Sequence, residues 1–287
     1  MAQRIAFATS AEHPRLTPDD MLAVQILAAR GVQVLPVLWD AHDTDWSSFD
    51  CVVIRSTWDY HHRPGEFRDW IEAMRREPVP VWNSPDTILW NMNKMYLRDL
   101  AGKGTHVIPT AWRERGSATA LGDLLMEQGW QEAVVKPCIS ATAYQTWRTS
   151  GAPEDEERFA QMIGDGDVMV QKFIPEITTR GEWSLVYFGG EFSHAVRKYP
   201  AQGDFRVQKE FGGRAVQARP GTDMIRQGRA VIGNSPGDSL YARVDGIEVS
   251  GELHVMELEL IEPALFLASH PQSAVNFANA IQNLTGY

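Results

Sequence analysis

The 287-residue sequence holds only two cysteines, Cys51 and Cys138, and they fall in separate segments. That excludes a disulfide framework and makes a reducing cytoplasm the expected setting. Long apolar runs are missing as well: none approaches the roughly 20 residues that a membrane-spanning helix needs, so no membrane partner is expected. The first ten residues lack the basic, apolar, then small-residue layout of a secretion signal. Positive charge is scarce, with 27 Lys and Arg against 37 Asp and Glu for a net charge of −10. Nucleic acid is thereby excluded as the main partner, because a phosphate backbone demands a basic face. A small anionic ligand is not excluded, since a few focused lysines and arginines hold it whatever the global balance. Internal repeats and low-complexity linkers are absent too.

What is present reads as an α/β (α+β) chain. Residues 5–8 form a predicted strand, and Thr17-Pro18-Asp19-Asp20 supplies an N-cap, a proline at N1 and first-turn acids. Leu22, Ile26 and Ala29 follow at helical spacing, and Gly31 stops the helix. Residues 32–38 and 51–54 are continuous apolar runs, as expected of buried parallel strands. Phe67, Trp70, Ile71 and Met74 mark a second helix, and Ser84-Pro85-Asp86 opens a third that is predicted to run to Gly102. Past Gly104 the pattern turns to short strands (133–136, 168–173) and short helices (121–127, 154–163). Two antiparallel hairpins follow, 182–188 with 191–199 and 239–248 with 253–260, before a helix over 271–284. The predicted organisation is an N-terminal substrate-side α/β domain (1–103), a central lid domain (104–175) and a C-terminal domain with a metal site (176–287).

The most informative stretch is Leu253-His254-Val255-Met256-Glu257-Leu258-Glu259-Leu260. On a strand Glu257 and Glu259 share one face, roughly 6.5–7 Å apart, and Met256, Leu258 and Leu260 take the other. A three-residue loop Ser250-Gly251-Glu252 sets Asp245 opposite Glu257 and Arg243 opposite Glu259; a two-residue turn sets Asp245 against Met256 instead. The first register clusters three hard-oxygen carboxylates, a set suited to Mg²⁺ with bound phosphates. A solvated acidic hairpin is the alternative.

Leu240-Tyr241-Ala242-Arg243-Val244-Asp245-Gly246 and Met256-Glu257-Leu258-Glu259-Leu260-Ile261-Glu262-Pro263 together resemble the metal-binding end of ATP-grasp ligases. The resemblance implies that Asp245, Glu257 and Glu259 hold Mg²⁺, with two ions expected and Mn²⁺ as a substitute. Glu259 stands where the family usually has Asn. Lys94 and Lys136 resemble the two phosphate-contacting lysines, and Gln171-Lys172-Phe173-Ile174 resembles the hinge that borders adenine. Glu182 resembles the acid that takes the ribose hydroxyls. Asp204-Phe205-Arg206-Val207-Gln208 with Gly212-Gly213 resembles the arginine segment beside the transferred phosphate in glutathione-synthetase-like members. The likeness spans about residues 84–263. Val53-Ile54-Arg55-Ser56-Thr57-Trp58-Asp59-Tyr60 and the 182–198 hairpin are similar to the cyclo-ligase branch of D-cycloserine biosynthesis. An ATP-grasp fold is implied, with ATP between the central and C-terminal lobes and a small amino-acid-like substrate. A homodimer is left open.

Each residue also has a plainer reading. Lys94 falls within the third predicted helix, where a lysine is ordinarily solvated. Lys136 ends an apolar strand before Pro137, an uncommon place for a lysine without an anionic partner. The loop Ser140-Ala141-Thr142-Ala143 takes the place of a glycine-rich phosphate lid yet has no glycine. With Gly189-Gly190 as a two-residue turn, Glu182 faces Arg197 in a cross-strand ion pair, leaving Lys198 on the opposite face as the candidate for the triphosphate. Lys198 and Arg206 are therefore the catalytic candidates. His194 reads as a packed strand histidine. Arg55, Ser56, Thr57 and Asp59 follow a buried strand, where open α/β sheets bind ligands, and are assigned to substrate. The implied reaction is acyl-phosphate formation followed by attack of an amine, with ADP and phosphate as products. A phosphotransferase on the same scaffold, and a nucleotide-binding protein with a degenerate site, remain alternatives at this point.

Overall fold

Three sheets follow one another along the chain in the computed structural model, which describes residues 3–285. The first is parallel, ordered β2-β1-β3-β4, from β1 (Arg4–Thr9), β2 (Gln33–Leu38), β3 (Cys51–Ile54) and β4 (Val81–Trp82). α1 (Pro18–Ala29) starts where expected, with the Thr17 hydroxyl accepting from the Asp20 N–H at 3.1 Å. α2 (Pro64–Met74) buries Phe67, Ile71 and Met74. β3 is wholly buried, but β2 is a half-exposed edge strand, not the buried one its apolar run suggested. Pro36 has no N–H to give, and an edge tolerates it.

The helix expected over 84–102 is two helices, α3 (Pro85–Asn91) and α4 (Tyr96–Gly102). At the break the Lys94 N–H leaves the helical ladder and donates to Cys138 O (2.8 Å), while Asn93 Oδ1 accepts from the Met95 N–H (3.0 Å). Lys94 therefore sits on a connecting turn pressed against the central sheet, not on a helix face.

The central sheet is antiparallel, ordered β5-β8-β6-β7. It comprises β5 (Thr110–Arg113), β6 (Ala133–Pro137), β7 (Trp147–Thr149) and β8 (Val168–Lys172), with α5 (Leu121–Gln128) and α6 (Pro153–Asp165) on one face. Ala133, Val135, Val168 and Val170 pack with Leu121, Leu124, Phe159 and Ile163 into a core of their own. By alternation Val134, Lys136, Met169 and Gln171 take the other face.

The third sheet, ordered β11-β10-β9-β12-β13, is also antiparallel. Its strands are β9 (Glu182–Phe188), β10 (Glu191–Tyr199), β11 (Arg214–Ala218), β12 (Tyr241–Val249) and β13 (Glu252–Glu259). α7 (Glu176–Arg180) precedes it, α8 (Thr222–Gly233) covers it, and α9 (Ser273–Thr285) returns to the first sheet. Phe277 of α9 lies 5.0 Å from Phe188, 6.1 Å from Tyr241 and 6.4 Å from Phe7 between ring centroids. The first and third sheets thus share one core. Both cysteines are free and buried. Among the described residues no helix is long and apolar enough to cross a membrane.

The chain leaving β13 has no strand beside it, so its buried carbonyls need other donors. Side chains from distant elements supply them. Asn91 Nδ2 donates to Leu258 O (2.8 Å), Asn83 Nδ2 to Leu260 O (2.7 Å), and the Tyr241 hydroxyl to Ile261 O (2.7 Å). Trp58 Nε1 donates to Glu262 O (2.8 Å), Arg55 Nη2 to Pro263 O (2.9 Å), and Arg243 Nη1 to Ala264 O (3.0 Å). His194 Nε2 lies 2.8 Å from Leu265 O, which makes that nitrogen the protonated one. Asn83, fully buried, also donates to Tyr241 O and accepts from the Leu240 N–H. Asn83→Ala orphans three buried backbone groups and is expected to lower the unfolding free energy by about 3 kcal/mol. A urea midpoint equal to wild type would refute this account of the segment.

Candidate active site

The β12–β13 hairpin turns on two residues, Ser250 (φ 53°) and Gly251 (φ 86°), both left-handed, with Val249 opposite Glu252. The expected three-residue loop is therefore wrong. A bulge between Asp245 and Gly246 then shifts the register by one and restores Asp245 opposite Glu257 and Arg243 opposite Glu259. Gly246 is required there, because a Cβ would lie 2.6 Å from His254 O. The bulge also moves Met256 off the face of Leu258 and Leu260: it packs with Phe173, Ile177, Val207 and Ile247 instead.

Around this hairpin, acids and cations alternate. Lys94 Nζ is 2.9 Å from Glu257 Oε1 and 2.5 Å from Ser140 O. Lys198 Nζ bridges Glu182 Oε1 (2.5 Å) and Asp245 Oδ2 (2.9 Å). Arg243 holds Asp245 with Nε (3.0 Å) and Nη2 (2.8 Å) and also contacts Glu259. Ser184 Oγ donates to Asp245 Oδ1 at 2.6 Å. A second bulge, between Phe192 and His194, corrects another expectation: Glu182 pairs with Lys198, whereas Arg197 lies opposite Trp183 and pairs with Glu248 at 3.3 Å.

These contacts set the protonation states. Burial works against every charge here, but Arg243 and Lys198 hold the Asp245 carboxyl well below the usual range. Burial likewise raises Glu257, yet Lys94 and Lys136 outweigh it and the net shift is downward. Glu257 in turn outweighs the burial of Lys94 and raises its pKa. Lys136 is 8% exposed and has no ion-pair partner among the described residues; burial leads, and its pKa is lowered. Burial, opposed by Arg243, pushes Glu259 up to about 7. Burial and then Glu259 push Glu262 up to about 8.

Asp245, Glu257 and Glu259 share the hairpin but do not form a closed cage; among the described residues no three such groups converge as metal ligands. Each is turned to a cation, and Asp245 accepts hydrogen bonds from Ser184, Lys198 and Arg243. Glu257 and Glu259 keep side-chain exposures of 26% and 27%. As hard oxygen donors they fit a magnesium ion whose remaining ligands are phosphate and water.

The segment 171–174 borders an apolar floor. Phe173 packs with Ile108, Ile177, Val207 and Ile247, with Ile174, Phe205 and Met256 alongside. The Lys172 N–H donates to Pro109 O and the Phe173 N–H to Glu132 O; Gln171 Nε2 is buried without a protein partner among the described residues. Arg206 is paired with Asp204 (2.8 Å) and stacked on Phe211. It lines a cleft of about 750 Å³ with Trp147, Arg148, Arg158 and Thr178, which the hairpin carboxylates do not line. The structure does not bring Arg206 into the ion network.

On the N-terminal side, Arg55 is an interior residue at 2% exposure. Its Nε is 2.9 Å from Asp20 Oδ1, and its guanidinium lies over the Tyr241 and Phe277 rings. Ser56 donates to Asp20, and Asp59 is held by Trp39 Nε1 (2.9 Å) and Arg63 (2.6 Å). Thr57 Oγ1 is buried with no partner among the described residues. In the loop after β6, Thr142, Ala143 and Gln145 adopt left-handed φ despite their side chains. Tyr144 of that loop packs 5.2 Å from both His61 and His62, joining the loop to the segment that follows β3. Sequence reasoning passed over Arg243, Ser184, Asp20 and Glu262 as site residues. Arg243 carried a signal in the strand register, opposite Glu259, and Glu262 carried one as an acid directly before the proline that ends the motif.

Glu259 and Glu262 have folded-state pKa values above their ordinary 4.5, so the folded protein retains protons that the unfolded chain releases. Their stabilising protonation is complete below about pH 4.5 and is lost as pH rises through 7 and 8. In chelator, Glu262→Gln is expected to be more stable than wild type by about 4 kcal/mol at pH 8 and by less than about 1 kcal/mol at pH 5. Urea midpoints at the two pH values check it; a difference that does not grow with pH contradicts the assigned states.

A family model described as the N-terminal domain of D-cycloserine synthetase DcsG matches residues 5–83. Over 264 residues the chain is 30% identical to the cycloserine biosynthesis protein DcsG of Streptomyces lavendulae, covering 85% of this chain and 86% of that protein. The crystal structure of D-cycloserine synthetase DcsG superposes with a TM-score of 0.88 at 26% identity, over 98% of this chain and 99% of that one. A D-alanine–D-alanine ligase from Bacillus anthracis, complexed with ATP, shares the fold at a TM-score of 0.71 and 15% identity, over 99% and 97% of the two chains. The alternation of strand and helix, the acidic hairpin and these likenesses agree: the chain belongs to the family of the D-cycloserine synthetase DcsG, within the ATP-grasp ligases.

Proposed function

We propose that this ligase uses ATP and Mg²⁺ to join the carboxylate of a small amino-acid-like substrate to an amine through an acyl-phosphate, releasing ADP and phosphate. The observation that carries the proposal is Lys136: a buried cation with no ion-pair partner among the described residues, within the electrostatic reach of Glu257 and on the sheet face shared with Gln171. Lys94 and Lys198 stand near, each presently held by an acid of the hairpin. Such a set suits a triphosphate, whose transfer needs charge neutralisation and positioning more than a nucleophilic side chain. Neither cysteine serves as one, since burial pushes both thiols up to about 12.

In this reading the floor around Phe173 takes the adenine, with Gln171, Lys172 and Ile174 along its border, and Glu182 takes the ribose. Glu257 and Glu259 hold the magnesium, which supplies charge neutralisation at the phosphates; two ions, or manganese, are compatible with the donors. Asp245 joins them once Lys198 turns from it toward phosphate. Lys94, Lys136 and Lys198 then stabilise the equatorial oxygens while the substrate carboxylate attacks the γ-phosphorus and ADP leaves. The amine next attacks the acyl carbon, and phosphate departs. Residues 104–175 act as the lid, and Arg206, at its outer cleft, swings inward or serves only the mouth. Of the segment 55–59, Thr57 faces the substrate; Arg55, Ser56 and Asp59 set the shape of that wall. The name of the Streptomyces relative supports a ring-closing version, in which carboxylate and amine belong to one molecule.

The test is product identity. ADP and inorganic phosphate should form only when ATP, Mg²⁺ and an amino-acid-like acid are all present; AMP and pyrophosphate would sink the proposal. Glu257→Gln should lower kcat by roughly 10²–10³-fold with the fold intact, the scale of losing one charge-stabilising group in a dry site. Lys136→Met should lose ATP affinity at unchanged stability, measured by nucleotide titration.

A further inference from the structure

Four of the five acids in the site have a cation against them: Glu182 has Lys198, Asp245 has Lys198 and Arg243, Glu257 has Lys94, and Glu259 has Arg243. Glu262 has none among the described residues, although it is 9% exposed and lies in the electrostatic reach of Lys94, Glu257 and Glu259. Its backbone, by contrast, is held hard. Trp58 donates to the Glu262 carbonyl, and Tyr241, Arg55 and Arg243 donate to the carbonyls of Ile261, Pro263 and Ala264. A side chain this enclosed, on a backbone this constrained, with a hydrogen bond to its own backbone but no ion-pair partner among the described residues, is not explained by stability: a buried acid without a counter-charge is a cost.

We propose that Glu262 is the recognition group for the ammonium of the amino-acid-like substrate. This rests on the ligase reading above and adds the substrate's charged group to it. The chemistry of possible partners decides the class. Phosphate and the substrate carboxylate carry the same sign as an ionised Glu262 and are served, in the proposed function, by Lys136, Lys94 and Lys198. Magnesium is placed at Glu257 and Glu259, and Glu262 lies beyond the end of their strand. What remains in a carboxylate–amine ligase is an N–H-bearing cation. Glu262 is the mirror of Lys136: one unpaired acid and one unpaired base, in a site where every other charge is matched. Trp58 holds the Glu262 carbonyl with its indole N–H, and a pair formed at so buried a carboxyl is largely out of water and strengthened by it. Glu262 binds and orients; it is not placed among the reacting atoms.

Discrimination between α-amino acids and the matching α-hydroxy acids tests this. The full chain with ATP and Mg²⁺ is given serine or alanine of either hand, or the corresponding glycerate or lactate, with hydroxylamine as a surrogate amine that traps the acyl-phosphate. ADP release is followed. Wild type should prefer the best amino acid over its hydroxy counterpart. Glu262→Gln should raise KM for that amino acid by about 10–100-fold, the value of one charge-assisted hydrogen bond, while KM for ATP and for the hydroxy acid stays within about twofold. Glu262→Asp should fall between. Equal losses on both acids, a shifted KM for ATP, or a wild type indifferent to the amino group would overturn the assignment and leave the ligase reading standing. No ADP from any acid with wild type would overturn the ligase reading itself.

Discussion

The structure turns on a short piece of backbone with no neighbouring strand. Between Leu258 and Leu265, six carbonyls are held by side chains from Asn91, Asn83, Tyr241, Trp58, Arg55 and Arg243, and a seventh by His194. These donors come from α3, the β4–α3 junction, β12, the segment directly after β3 (Arg55 and Trp58), and β10. Buried carbonyls cannot be left open, so the segment draws the first and third sheets together around it. Arg55 illustrates the consequence. A buried arginine beside Asp20 and under Pro263 O joins two lobes, and that accounts for its burial without any contact to a ligand.

The same constraint fixes where charge can sit. Glu257 and Glu259 enter the site from β13, and Glu262 from the pinned segment just beyond it, so their separation is not free to relax. Neutralisation has to come from across the gap, and it does: Lys94 from the turn after α3, Lys198 from β10, Arg243 from β12. Under the proposed function, phosphate and magnesium replace these internal partners, and the ions exchange one set of counter-charges for another. A network so matched needs little rearrangement to accept a ligand of the right charge pattern.

The loop after β6 takes up left-handed backbone without glycine. Thr142, Ala143 and Gln145 sit in the left-handed region, at a cost of roughly 1 kcal/mol or more each. Tyr144, between them, offsets part of it by packing on His61 and His62, whose rings lie 3.9 Å apart. Burial lowers the His61 pKa, which keeps that imidazole neutral in the stack. Aromatic contact with another lobe does here what chain flexibility does in a glycine-rich loop.

Much of the fold was legible locally. The Thr17 cap, the buried run at β3, the helical spacing of Phe67, Ile71 and Met74, and both hairpins follow from capping chemistry and from periods of 3.6 and 2, which act over a few residues. The carboxylate pairing of Asp245 with Glu257 was legible too, though for the wrong turn, because a bulge cancelled the error. The break at Lys94, the partner of Glu182 and the face of Met256 were not legible. Each depends on one residue inserted or one N–H diverted by a neighbour far along the chain, here Cys138 for Lys94 and the bulges near Ser193 and Met256. By itself the sequence determined which elements form and which acids share a strand, since those are short-range properties of the chain. Tertiary structure alone decided which charges are matched, that Lys136 and Glu262 are left unpaired, and that Arg55 turns inward, because burial and pairing exist only once distant segments meet.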